Sequence, residues 1–258
     1  MSLSIPPDTP LESRKRAVIV GASTGIGAEI ARLLGREGWF LALLARSGAE
    51  LMELAEEINQ QAGEPRAAVY RHDVLEYAAI PQLFQTLLAD LKRIDAIVYV
   101  AGVMPTVQFS EYNFVKEKSM IDVNLLGGMA WLGQAAALFE RLGAGQIVGI
   151  SSNSADRGRV KNPGYNASKA GFDAYLEALR NRLTRSGVHV LTVRPGPVKT
   201  RITRETGGLF MVPPQTVARD VYKGMRKRKQ IVYSPAKWRF IMFIVRNIPS
   251  VIFRRMNF

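Results

Sequence analysis

The stretch SSNSADRGRVKNPGYNASK, residues 151–169, brings together three serines, a tyrosine and a lysine that could move a proton. A free tyrosine titrates near pH 10, too high for useful acid or base work at neutrality. Lys169 follows Tyr165 by four residues, so on a helix the two side chains share a face. A nearby ammonium favours the phenolate and lowers the tyrosine pKa. The tyrosine can then act as a general acid or base, with a serine hydroxyl holding a substrate oxygen beside it. Spacing alone leaves Ser151, Ser152 and Ser154 open, and an i,i+4 pair is also what an ordinary helix surface carries.

A second chemical signal lies near the start of the chain. The apolar run AVIV leads into Gly21-Ala22-Ser23-Thr24-Gly25-Ile26-Gly27. Glycines at a strand-to-helix turn allow a tight bend and a close backbone approach. The helix that follows offers free N–H groups and the positive end of its dipole to a phosphate. The spacing is G-x-x-x-G-x-G rather than the commoner dinucleotide form G-x-G-x-x-G. Where the second strand ends, NAD-binding proteins usually place an acid for the ribose 2′-hydroxyl. Here stand Ala45 and Arg46. An arginine suits a 2′-phosphate, so the expected cofactor is NADP(H) in preference to NAD(H). An oxidised nicotinamide would set a second positive charge near Tyr165.

These residues need a scaffold, and the chain alternates short apolar runs with longer helical segments. Strands are expected at 17–21, 40–46, 67–73, 95–102, 146–152 and 188–194, with a last one at 230–233. Helices are expected at 25–38, 49–62, 79–91, 115–142, 165–185 and 216–228. Near-continuous apolar strands separated by helices indicate a parallel sheet covered on both faces. The predicted fold is a Rossmann-type, doubly wound α/β single domain over 1–258, with 236–258 as a basic, apolar C-terminal appendage carrying an amphipathic helix. Ser151 and Ser152 then fall at the carboxyl edge of the sheet, where open α/β sheets bind ligands.

Composition narrows the chemistry further. The 258 residues are 47% apolar and include no cysteine, which removes disulfides and thiolate catalysis. His72 and His189 are the only histidines and lie far apart in sequence, which argues against a histidine zinc site or a Ser-His-Asp triad. No metal is expected. The N-terminus has no apolar signal-peptide core, and no run reaches the ~18 apolar residues of a membrane span. A cytoplasmic location is the default expectation. Of the net charge of +13, ten positive charges come from residues 221–258, a span without a single acid.

Taken together, the motifs resemble the short-chain dehydrogenase/reductase family. The matching residues are GASTGIG at 21–27, Asp73-Val74, Ala101-Gly102, Asn124, Ser152, YNASK at 165–169 and PGPVKT at 195–200. The resemblance covers roughly residues 15–200, in the family's order and spacing. It implies that Ser152, thirteen residues before Tyr165, is the catalytic serine. It implies that Tyr165 gives its proton to a carbonyl oxygen, while Lys169 lowers the tyrosine pKa and binds the nicotinamide ribose. Asn124, in a helix, would support a water-linked relay to that lysine. Gly21, Ser23, Thr24, Gly25, Ile26, Gly27, Arg46, Asp73, Val74, Ala101 and Gly102 would hold the cofactor. So would Tyr165, Lys169 and the turn containing Pro195, Gly196, Val198 and Thr200. One departure is Val100, where the family has an asparagine that braces the sheet.

The substrate side is less explicit. Residues 201–214 carry two glycines beside an apolar run, as a mobile lid would, and Met104, Pro105, Thr106 and Phe109 could line the same cleft. In the tail, Trp238, Ile241, Met242, Val245 and Ile248 fall at helical spacing, and Phe240, Phe243 and Ile244 widen the stripe. Apolar aromatics flanked by arginines suit a helix in a membrane interface. A lid over the cleft and an oligomer contact are the other readings. The expected activity is NADP(H)-dependent reduction of a ketone on a hydrophobic or lipid-linked substrate. Alternatives are a β-ketoacyl-acyl-carrier-protein-type reductase and a non-catalytic NADPH-binding membrane scaffold. A homodimer or homotetramer, peripheral on the inner face of a membrane, is the expected assembly. Nucleic acid is not an expected partner, because the basic residues are interleaved with large aliphatics.

Overall fold

In the computed structural model, which describes residues 14–203 and 211–256, seven parallel strands form one sheet. They are β1 Arg16–Val20, β2 Phe40–Ala45, β3 Ala67–Arg71, β4 Ala96–Tyr99, β5 Gln146–Ile150, β6 His189–Pro195 and β7 Ile231–Ser234. Their order is β3-β2-β1-β4-β5-β6-β7. Every residue of β1 and β4, and Phe40–Leu44 of β2, is buried. That is what a sheet covered on both faces requires, and it explains why these runs are apolar without alternation.

On one face lie α1 Gly25–Arg36, α2 Gly48–Ala62 and α7 Pro214–Arg226. Their apolar stripes, Ile30, Leu34, Leu51, Leu54, Val221 and Met225 among them, close one core layer. On the other face lie α3 Ile80–Leu91, α4 Phe114–Ile121, α5 Gly127–Leu142 and α6 Pro163–Leu183. Phe84, Trp131, Phe139, Phe172 and Leu176 fill that layer. The tail adds α8 Lys237–Asn247 and the short α9 Ser250–Phe253. Its own small core is Trp238, Met242, Val245 and Phe253, packed with Tyr233, Ile241 and Ile248.

Element order and type follow the sequence expectations, and the differences are at the ends. Strands β1 to β5 all stop one to three residues before their expected ends. At β4, the N–H groups of Val100 and Ala101 both donate to the Val20 carbonyl at 2.9 Å instead of continuing the ladder. The helix expected over 115–142 is present, but Asp122–Leu126 is π-helical. Two tyrosine hydroxyls hold carbonyls there: Tyr99 donates to Val123 at 2.5 Å and Tyr77 to Asp122 at 3.0 Å. Side chains competing for the helical ladder are a recognised cause of such a widening.

The strand order reverses at β1, whose neighbours are β2 and β4. A crevice opens at such a switch point, above the carboxyl ends of the strands. Gly21 forms its floor with φ +97°, a conformation that side chains rarely adopt, and a Cβ there would lie 2.5 Å from the Ala101 nitrogen. Gly21→Ala is expected to lower the melting temperature by about 5–10 °C and to weaken dinucleotide binding. A thermal melt as stable as that of the native chain would contradict this account of the turn.

Candidate active site

The serine enters the site from the end of β5. Ser152 is extended, caps a short 3-10 turn at Asn153–Ala155, and accepts a hydrogen bond from the Ser154 N–H at 3.0 Å. It lines the same cleft as Tyr165 and acts on the phenol, drawing its pKa down. Of the three candidate serines, this is therefore the one that meets the tyrosine. Ser151 instead donates to the Lys169 carbonyl at 3.3 Å, and Ser154 contributes its backbone.

Tyr165 and Lys169 project from the first two turns of α6. Part of the Tyr165 residue remains at the surface while its hydroxyl end is enclosed. Burial pushes the phenol above its ordinary value; the Ser152 hydrogen bond and the charge of Arg159 pull the other way. The lysine was expected to be the cation that lowers this pKa. In the structure that cation is Arg159, and the Lys169 nitrogen stands 5.9 Å from the centre of the tyrosine ring. Lys169 is 5% exposed and donates to the Ile150 carbonyl at 3.0 Å. Burial lowers its pKa to about 8, with Asp173, one turn along α6, acting in the opposite direction.

Asn124 is fully buried in the π-helical stretch. Its amide accepts from the Val103 N–H at 2.8 Å and donates to the Val103 carbonyl and to the Ser168 hydroxyl, each at 3.0 Å. Ser168 in turn donates to the Tyr165 carbonyl at 2.8 Å. Asn124 thus ties the segment after β4 to the backbone of α6. Val100, which replaces the family's asparagine, packs with its side chain in the core beside Gly27.

The crevice fits a dinucleotide. Thr24 precedes α1 without bonding its free N–H groups and the first turn of α1 contains no acid, while Glu29, which also lines the crevice, is paired with Arg32 at 2.9 Å, so those donors stay available to an anion. Thr24, Gly25, Lys199, Thr200 and Arg201 line one part of it. Ile26, Gly102, Ser152, Tyr165, Lys169 and Val198 are among the residues lining the adjoining part, and Thr200 belongs to both. Beyond the end of β3, Asp73 caps a turn by accepting from the Leu75 N–H at 3.1 Å, and Val74 is buried beside it. Arg46 is exposed, 3.9 Å from Asp73. Arg71, at the end of β3, donates to the Arg46 carbonyl at 3.2 Å and sets a second guanidinium on the same rim. Sequence reading missed Arg71, although its place at the carboxyl end of a strand was a usable signal.

Several other expectations shift. Gly196 belongs to the turn lining the cleft, but its missing side chain serves the tail: a Cβ would lie 2.0 Å from the Trp238 indole nitrogen. Among the residues lining the Tyr165 cleft are Gly102 and Val103, but none of residues 104–109, and Phe109 is 76% exposed. Among the described residues, none of α8 lines that cleft, although Trp238 packs against Gly196 at its edge. Of the expected substrate loop, residues 204–210 lie outside the described residues, while Val198 pairs with Val212 at its base.

Comparison with known proteins agrees with this geometry. A family model described as short chain dehydrogenase matches residues 15–208. An uncharacterized oxidoreductase of Staphylococcus epidermidis is 31% identical over 192 residues, covering 74% of this chain and 81% of its own length. One from Mycobacterium tuberculosis is 30% identical over 202 residues, covering 78% and 79%. Among solved structures, a variant of actinorhodin polyketide ketoreductase with NADPH superposes with a TM-score of 0.76 at 27% identity, covering 85% of this chain and 95% of that one. An alcohol dehydrogenase from the archaeon Thermococcus sibiricus, complexed with 5-hydroxy-NADP, gives 0.77 at 28% identity, covering 85% and 94%.

Proposed function

Given that the chain belongs to the short-chain dehydrogenase family and is an oxidoreductase, we propose that it reduces the ketone of a hydrophobic substrate with NADPH. The observation that carries this reading is that Ser152, Tyr165 and Lys169 line one cleft of the crevice, with Lys169 buried one turn along α6 from the tyrosine. When bound, the nicotinamide supplies the hydride. Ser152 holds the carbonyl oxygen by donating its hydroxyl hydrogen, and Tyr165 delivers the proton that completes the alcohol. Lys169 orients the ribose, and Asn124 fixes the helix that carries Tyr165. Gly21, Gly25 and the start of α1 receive the pyrophosphate.

Arg46 and Arg71 support NADP(H) over NAD(H), because two guanidinium groups on one rim suit a 2′-phosphate and repel nothing in it. The NADPH and 5-hydroxy-NADP ligands of the two solved structures accord with that preference. Arg46→Asp should weaken NADPH about 10–100-fold and NADH far less, measured by fluorescence titration. An unchanged ratio of the two affinities would remove Arg46 from the argument. The activity itself is tested by NADPH consumption over a panel of ketones of graded chain length. The β-ketoacyl-acyl-carrier-protein reading stays as a second substrate class, and the likeness to a polyketide ketoreductase accords with a keto-chain substrate. Turnover of carrier-bound but not free ketones would select it.

A further inference from the structure

The tail presents two faces. Trp238, Met242 and Val245 of α8 and Phe253 of α9 are buried against the domain. On the opposite side of α8, at three- and four-residue spacing, Phe240 is 70% exposed, Phe243 67% and Ile244 49%. Val251 and Ile252 of α9 extend the exposed apolar surface. Lys237, Arg239, Arg246, Arg254 and Arg255 are all exposed around it. No Asp or Glu occurs from residue 221 to the end of the chain. Among the described residues no helix is long and apolar enough to cross a membrane.

We infer that this face docks flat on an anionic lipid surface. Three observations favour lipid over a second copy of the chain. The rim is uniformly cationic, so a two-fold contact would set like charges against like, since such a contact pairs a patch with itself. Aromatic side chains inside a basic rim match an interfacial helix, whose apolar face enters the acyl boundary while its cations meet headgroups. The helices are also held firmly in position to present that face. The Arg157 guanidinium donates to the Val245 and Ile248 carbonyls, each at 2.6 Å, and lies 3.8 Å from the centre of the Phe253 ring. Arg157 belongs to the loop that follows Ser152, so the docking face and the catalytic serine rest on one segment.

The test is flotation of the full chain with vesicles of phosphatidylcholine alone and of phosphatidylcholine mixed with phosphatidylglycerol. Binding is expected to the mixed vesicles, falling about tenfold in Arg254→Glu/Arg255→Glu. A fall of at least about tenfold is expected in Phe240→Glu/Phe243→Glu. Both pairs are exposed, so melting temperatures should stay native. Tyr165→Phe should float as the native chain does, which keeps this result separate from the assignment of activity. Absence of binding to anionic vesicles overturns the proposal. So does a Phe240→Glu/Phe243→Glu protein that floats unchanged. If that variant instead loses an oligomer in sedimentation velocity while flotation is unaffected, the face is a contact between copies and the lipid proposal fails.

Discussion

Tyr165→Phe is expected to lower kcat for ketone reduction by about 10²–10⁴-fold while NADPH affinity stays within about twofold of native. The hydroxyl is the only part of the side chain that the substitution removes, and it is the atom that meets Ser152. Ring packing and the helix that carries it should survive, because Asn124 donates to the Ser168 hydroxyl and Ser168 to the Tyr165 carbonyl, and neither bond involves the phenol. The pH profile gives an independent reading. Burial holds the phenol protonated above its usual range in the free enzyme. The proton donor is therefore present throughout neutral pH, and reduction by the native enzyme should fall only on the alkaline side. A phenylalanine variant that still turns over substrate at a comparable rate would remove Tyr165 from the chemistry and leave a dinucleotide-binding scaffold as the better account.

The second large effect concerns Lys169, where function and stability should move in opposite directions. Its ammonium is enclosed, and burial brings its pKa down to about 8 from the 10.5 of a free lysine. Between those values the unfolded chain keeps a proton that the native chain has released. Native stability therefore rises with pH across that window, and below it the full cost of burying the charge is present. Lys169→Met removes that cost, on the order of a few kcal/mol at pH 7. It also leaves the Ile150 carbonyl without its donor, which returns about 1–3 kcal/mol of it. The variant is expected to melt a few degrees higher than native at pH 7, with the gap closing towards pH 10. Turnover should fall about 10²-fold or more. A variant that melts lower than native at pH 7, with no dependence on pH, would show that the lysine is a structural anchor.

The parts of this protein that sequence makes legible are those whose partners lie within one or two neighbouring elements. Gly21 to Gly27 span one strand-to-helix turn, and Tyr165 and Lys169 share one helix, so type and spacing carry their meaning. Apolar runs announce the strands because the sheet is buried on both sides. The π-helical stretch around Asn124 leaves no comparable trace. It widens the helix locally, and its cause is two tyrosines at Tyr77 and Tyr99, distant in sequence. Arg157 and Arg159 were equally silent. Their loop has no periodicity, and their partners at Met242, Val245, Ile248 and Phe253 come more than eighty residues later. In the tail, hydrophobic spacing identified a helix, but only three-dimensional packing separated its buried stripe from Phe240, Phe243 and Ile244.

The indole of Trp238 fills the space above Gly196, and the backbone of that glycine belongs to the turn beside Tyr165. Just upstream, Arg194 pairs with Asp173 of α6 and binds Asp156 at 3.0 Å and the Tyr233 hydroxyl at 2.6 Å. The tail is thus no detachable module. A chain shortened before residue 237 would lose the side chain that roofs this turn along with any affinity for lipid, so deletion conflates the two roles. Relatives lacking an equivalent tryptophan must close the turn by other means, and exchanging tails between family members will succeed only where the glycine and its cover travel together.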